Sequence, residues 1–337
     1  MKQFYAVAAI ASFALSGCAV GQRDALPGGV SFQTLRSLHP GTRGSIKFYN
    51  DTFGDATPDG VVAGPDGALW FTDPGNDVIG RITTGGSYTL EQSVGEQVSS
   101  GITVGPDKNL WFTFSNGIGR MKTNGTYTLF QDSEGSSPQG ITTGPDGALW
   151  YAQSDGTVGR ITTNGTISHF TVAPGNANLQ GIATGPDGNL WVTQEVVGGT
   201  RISNQVIRLS PKGKHASYKV GDGPTYICVG PDKAMWFTES DANAIGRLTT
   251  SGKYREFPTN YEYAAPSGIA KGPDGALWIS DFNGRFGIGR VTTKGKFSFY
   301  GGPAANAELR QITAGPDHNM WFTSFLAPEG IGRVTTR

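Results

Sequence analysis

Cysteine is nearly missing from this chain. Its 337 residues hold two, Cys18 and Cys228, and Cys18 ends an N-terminal apolar stretch. If that stretch is removed or modified, Cys228 stands alone and no intramolecular disulfide can form. Cys228 lies in the apolar run Tyr226-Ile227-Cys228-Val229 and reads as inert packing rather than as a nucleophile. Charge of either sign is also missing in net terms: 27 basic residues balance 27 acidic ones. There is no basic run and no arginine–aromatic stripe, which argues against a nucleic-acid partner. No segment carries a sustained 3.6-residue apolar period, so helical repeats are excluded. There are four histidines, His39, His169, His215 and His318, so candidates for a general base are few.

What the chain has instead is repetition. The phrase Gly64-Pro-Asp-Gly-Ala-Leu-Trp70 recurs with small changes, ending at Trp111, Trp150, Trp191, Trp236, Trp278 and Trp321. These are all seven tryptophans, and their spacing of 39 to 45 residues lies in the range of propeller blades. The third copy shows the unit. Gln139 to Thr143 is a β-prone run, Gly144-Pro-Asp-Gly147 a turn and Ala148 to Ala152 a second strand. Val158 to Thr163 is a third strand, Asn164-Gly165 a tight hairpin turn and Thr166 to Phe170 a fourth. Seven such units predict an all-β, seven-bladed β-propeller with four-stranded blades, spanning 45–337. The last repeat stops after its third strand. The segment Gly44-Ser-Ile-Lys-Phe-Tyr49 resembles Gly295-Lys-Phe-Ser-Phe-Tyr300, so residues 45–50 are predicted to complete blade seven and close the ring. Each tryptophan is expected to pack between blades. The recurring arginines of the Ile-Gly-Arg phrase are expected to pair with the turn aspartates or cap backbone groups.

The first 44 residues differ in character. Met1-Lys2-Gln3, the apolar stretch Phe4 to Leu15 and Leu15-Ser16-Gly17-Cys18 read as an export signal, 1–17, ending in a sequence that resembles a bacterial lipobox. Cys18 would then carry the lipid and 18–44 would be a tether, leaving the protein exported and anchored to the bacterial cell envelope.

The pattern Pro-x-Gly-Ile-x-x-Gly-Pro-Asp-Gly-x-Leu-Trp-Phe-Thr, followed by Ile-Gly-Arg-Ile-Thr-x-x-Gly, resembles the streptogramin B lyase (virginiamycin B lyase) family over about residues 45–337. The resemblance implies a seven-bladed propeller and a Mg²⁺-assisted elimination that opens a cyclic depsipeptide, with a histidine as base and glutamates holding the metal. The family's last repeat begins Glu-Pro-His-Gly-Ile, and here the matching segment is Glu308-Leu309-Arg310-Gln311-Ile312. Glu308 keeps a metal-binding position, but Arg310 stands where the base should be. Ser324 stands where a second glutamate should be, and Ser267 where a substrate-contacting histidine should be. An arginine stays protonated and cannot abstract a proton near neutrality.

Two sets of positions vary from repeat to repeat on one face, and variation of that kind is where repeat proteins carry function. The first is Asp59, Ser100, Gln139, Gln180, Thr225, Ser267 and Arg310; the second is Asp73, Phe114, Gln153, Gln194, Glu239, Asp281 and Ser324. They suggest a polar pocket with Arg310 as anchor beside Asp59 and Asp73, and Gln139, Gln153, Gln180 and Gln194 as a hydrogen-bonding wall. Glu239, Asp281 and Tyr226 are further candidates. The alternative for this mouth is a solvated rim in which Arg310 makes an internal salt bridge. The expected function is a monomer that binds a small polar molecule or peptide without lyase chemistry and requires no cofactor. Two alternatives are a lyase with a rearranged Mg²⁺ site, for example Glu308 with Glu239, and a lactone or sugar-acid hydrolase.

Overall fold

A computed structural model describes residues 45–50, 56–175, 177–195, 204–301, 307–326 and 329–336. The signal segment, Cys18, the tether and His39 lie outside the described residues. Seven antiparallel four-stranded sheets follow one another along the chain, and no helix occurs among the described residues. In blade three the strands are Pro138–Thr143, Leu149–Gln153, Thr157–Ile161 and Ile167–Thr171, ordered from the channel outward. Blade seven takes Leu309–Ala314, Met320–Ser324 and Gly330–Val334 from the C-terminal end, and Ile46–Asn50 from the other end as its outermost strand. Ile46 pairs with Val334 and Phe48 with Gly332, so the ring is closed by the predicted clasp.

The repeated phrase folds as its chemistry dictates. Proline presets φ in the Gly-Pro-Asp-Gly turn, and Gly147 takes φ +75°, a conformation costly for other residues. The turn aspartate accepts a hydrogen bond from the indole N–H of its own blade's tryptophan in all seven repeats, at 2.9–3.0 Å. In six blades an arginine on the third strand pairs with the same aspartate, as Arg160 does with Asp146 at 2.7 Å. Arg120 of blade two donates instead to the Thr163 carbonyl of blade three, at 2.8 Å.

The tryptophans themselves are fully buried and face the next blade. Trp150 joins Ile182, Leu190 and Val192 of blade four, while Trp321 joins Val61, Leu69 and Phe71 of blade one. The core is therefore a ring of seven inter-blade layers rather than one central cluster. Polar contacts follow the same route near the channel. Thr113 donates to the Gln139 carbonyl of the next blade at 2.9 Å, and Thr323 to the Asp59 carbonyl at 2.7 Å.

One break in the repeat has a packing cause. In five blades the glycine before the third-strand arginine lies under an aromatic ring of the second strand, as where a Cβ on Gly119 would sit 2.1 Å from Phe112, and in blade six Gly289 lies under Ile279. In blade four the glycine is Ile207, and the residue paired with it is Val192, not an aromatic. The small–large pair has been exchanged for two medium side chains, which fill similar space.

Candidate functional site

The inner strands of blades two to seven each carry a register shift near their upper end, as between Pro138 and Ile141. Bulges of this kind re-aim side chains. Gln139, Gln180, Thr225, Ser267 and Arg310 fall within them. Below them a repeated Gly-Ile step rings a central cavity of about 150 Å³. The glycine is needed because the blades converge: a Cβ on Gly101 would lie 2.2 Å from the Gln139 carbonyl oxygen. Two repeats break this ring, with Tyr226 in blade five and Gln311 in blade seven.

Tyr226 reaches across the channel. Its hydroxyl donates to Asp59 Oδ1 of blade one at 3.4 Å and also meets Gln311. Asp59 Oδ2 lies 3.4 Å from Arg310 Nη1. Both contacts are long for a carboxylate, and burial lifts the Asp59 carboxyl above its ordinary range although Arg310 and Tyr226 pull the other way. Burial likewise raises the Tyr226 hydroxyl. The Arg310 guanidinium lies over the rings of Phe282, at 5.1 Å, and Phe325, at 4.5 Å. Its Nε is buried without a hydrogen-bond partner. A small recess of about 40 Å³ opens beside it, bounded by Gln180, Tyr226, Ser240, Pro266, Phe282 and Arg310.

The first variable set therefore supplies this mouth with Asp59, Gln180, Thr225, Ser267 and Arg310. Gln180 also donates to Glu195, whose carboxyl is pushed up to about 7 by burial and by the charge of Asp241. Gln139 donates to the Ser137 carbonyl at 3.2 Å. The second set lies buried at the end of each second strand, and those members whose partners can be named serve the loops. Asp73 accepts from Thr57, Gly75 and Asn76, and no contact joins it to Arg310. Asp281 accepts from the backbone of Ala265 and Phe286. Gln153 binds Asp132 and Thr157, and Gln194 is similarly enclosed. Glu239 accepts from Gly221 N at 2.8 Å and Tyr254 Oη at 2.7 Å, within blade five. Cys228 is packed as expected, its thiol pushed up to about 12 by burial.

In blades five to seven the residue after the second-set position is the one at the mouth, and it was not among the sequence candidates. Ser240, Phe282 and Phe325 occupy this place in blades five to seven, next to the candidates Glu239, Asp281 and Ser324. Successive residues of an extended chain face opposite ways, so choosing the neighbour selected the buried side. Aromatics at this place in blades six and seven alone were the available signal.

The residues at the mouth do not fit a Mg²⁺ ion. Glu308 is half-buried beside the Arg310 charge. The Ser324 hydroxyl donates to the Leu326 carbonyl at 3.0 Å. Among the described residues no group of three metal-ligating side chains assembles. A hard divalent cation needs several oxygen ligands and would be repelled by a guanidinium. His169, which pairs with Asp132 at 2.9 Å, and His215 lie on outer strands, and His318 lies in a bottom turn.

The model of the virginiamycin B lyase family matches residues 39–202 and 168–337. The chain belongs to that family. A streptogramin B lyase structure is similar at 28% identity and TM-score 0.77, covering 87% of this chain and 97% of that one. The virginiamycin B lyase of Staphylococcus aureus, in a catalytically inactive histidine-to-alanine variant with quinupristin, is similar at 29% identity and TM-score 0.79, covering 88% and 100%. The extracellular domain of a hybrid two-component system from Bacteroides thetaiotaomicron shares the fold alone, at 16% identity and TM-score 0.65, with 88% of this chain and 42% of that one covered. None of the curated protein sequences compared matches the chain.

Proposed function

We propose that this family member is an exported, lipid-anchored propeller that binds a small polar molecule or peptide at the mouth of its channel and has left the family's elimination chemistry behind. The observation that carries this reading is Arg310. It stands where the resemblance puts the base, remains a cation at neutral pH, and lies over the rings of Phe282 and Phe325 beside Asp59. A base must accept a proton within hydrogen-bond reach of the substrate, and no histidine among the described residues lies at this mouth. The recess beside Arg310 and the underused donors of its guanidinium support binding instead.

The test is direct. The purified protein is incubated with a streptogramin B and Mg²⁺, and ring opening is followed by mass spectrometry; the expected result is no conversion. Metal-dependent opening lost in Glu308→Ala would overturn the reading in favour of a rearranged lyase site. Anchoring is tested separately: Cys18→Ser is expected to abolish incorporation of labelled fatty acid and release the chain from the membrane fraction.

A further inference from the structure

We infer that the mouth receives the carboxylate end of a monoanionic ligand whose adjoining group is flat or apolar. This rests on the binding reading above and names the class of ligand. A guanidinium has five N–H donors in a planar fork and is best satisfied by a carboxylate held through two of them. Among the described residues Arg310 has one long ion pair, to Asp59 at 3.4 Å, and its guanidinium carbon lies within 5.1 Å of the ring of Phe282 and 4.5 Å of that of Phe325. The two rings hold the guanidinium at the recess that it lines, and that recess is the place for an acceptor.

The recess fits an end group rather than a whole molecule, so the rest of the ligand must lie on the rim. On the blade-six and blade-seven side that rim offers exposed Tyr263, whose ring lies 5.8 Å from the Arg285 guanidinium, and exposed Leu326. Tyr263, two residues before the mouth residue Ala265, is 69% exposed and has φ +59°. A bulky residue held in the left-handed region is costly and points to a role for its placement. Its carbonyl accepts from Asn283 Nδ2 at 2.9 Å, which ties this loop to the residue after Phe282. Leu326, following Phe325, is exposed as well. Around the same mouth stand Asp59, Glu195 and Glu308. Arg310 is the one cation among the recess's lining residues, which suits a single carboxylate, whereas a phosphate dianion would call for more positive charge than this.

The inference is tested by calorimetric titration of the purified full-length protein in mild detergent, with detergent alone as blank. N-acetyl-L-phenylalanine, its neutral amide and inorganic phosphate are the probes. The acid is expected to bind about tenfold or more tightly than the amide, and phosphate not at all. Arg310→Gln should erase the preference for the acid, Arg310→Lys should keep only part of it because an ammonium lacks the fork, and Tyr263→Ala should weaken acid and amide alike. Equal binding of acid and amide, or tighter binding of phosphate, overturns the carboxylate assignment and leaves the binding reading standing. Failure of the acid to bind the wild type at about 10 mM also overturns the assignment. Ring opening of a streptogramin would strike the earlier reading and not this one.

Discussion

Replacing Glu239 by glutamine should stabilise the protein above neutral pH and do little below pH 5. The wild-type carboxylate is wholly buried in blade five. Oε1 accepts from Gly221 and Tyr254, whereas Oε2 is buried with no partner. Burial, reinforced by the charges of Glu256 and Asp222, pushes its carboxyl from 4.5 up to about 7. The folded state therefore holds a proton that the unfolded chain gives up earlier. Stability from this group is complete below pH 4.5, falls as pH rises, and is gone above about 7. At 1.36 kcal/mol per unit the loss is about 3 kcal/mol. Glutamine keeps an acceptor for Gly221 and Tyr254 and never ionises. For a fold of this size the difference is about 6 °C in Tm at pH 8, shrinking towards zero at pH 5. Glu195, Asp59 and Asp281 also bend the wild-type curve, but the difference between variant and wild type isolates Glu239. Thermal unfolding of both proteins from pH 5 to pH 8 gives that difference. A difference that stays flat with pH would show that Glu239 is already ionised in the folded state, and the case for it as a buried neutral acid would be lost.

Three further outcomes follow from the packing and the site. Gly119→Ile should destabilise blade two by about 3 kcal/mol through collision with Phe112, and Phe112→Val in the same chain should recover most of that, since blade four already uses the Val192–Ile207 pair; denaturant melts of the two singles and the double decide it. Tyr49→Ala should weaken the clasp by about 3 kcal/mol, because this ring stacks on Trp321 at 5.3 Å, lies against Gly86 and is nearly buried. Proteolysis at the N-terminal strand would then precede cleavage elsewhere. Arg310→His should not confer ring opening of a streptogramin, because Ser324 leaves the metal without its second glutamate; conversion by this single variant, read by mass spectrometry, would show that the rest of the site is intact.

The fold was legible because the same physics is repeated seven times. A tryptophan, a turn aspartate and an arginine at fixed offsets make one interlocked unit, and the blade count, strand order and N-terminal clasp follow from where those units start and stop. Arg310 beside Asp59 was legible too, because blade seven must abut blade one in a closed ring. The mouth was only half legible. Asp73, Gln153 and Asp281 vary among repeats like ligand contacts, yet they vary because each must satisfy a different loop. Sequence variability alone does not separate a pocket wall from a loop anchor. Phe282 and Phe325 were missed by one residue, and Gln311 was overlooked although it breaks a glycine ring as visibly as Tyr226 does.

The separation of roles along each strand explains how a catalytic position can change without cost to the fold. Ile312, Trp321 and Phe322 of blade seven keep the repeated packing, and Trp321 in turn holds blade one. Arg310 sits two residues before Ile312, inside the bulge, where its side chain leaves the ladder. Its backbone carbonyl still accepts from Ser267 and Ser280 of blade six, so the main chain is fixed whatever side chain it carries. Exchanging an imidazole for a guanidinium there alters charge, proton affinity and the partners available to Asp59, while leaving the inter-blade layers untouched. The scaffold therefore constrains where the mouth residue stands and says little about its chemistry, which is why membership of the family and the proposed loss of its reaction are compatible in one chain.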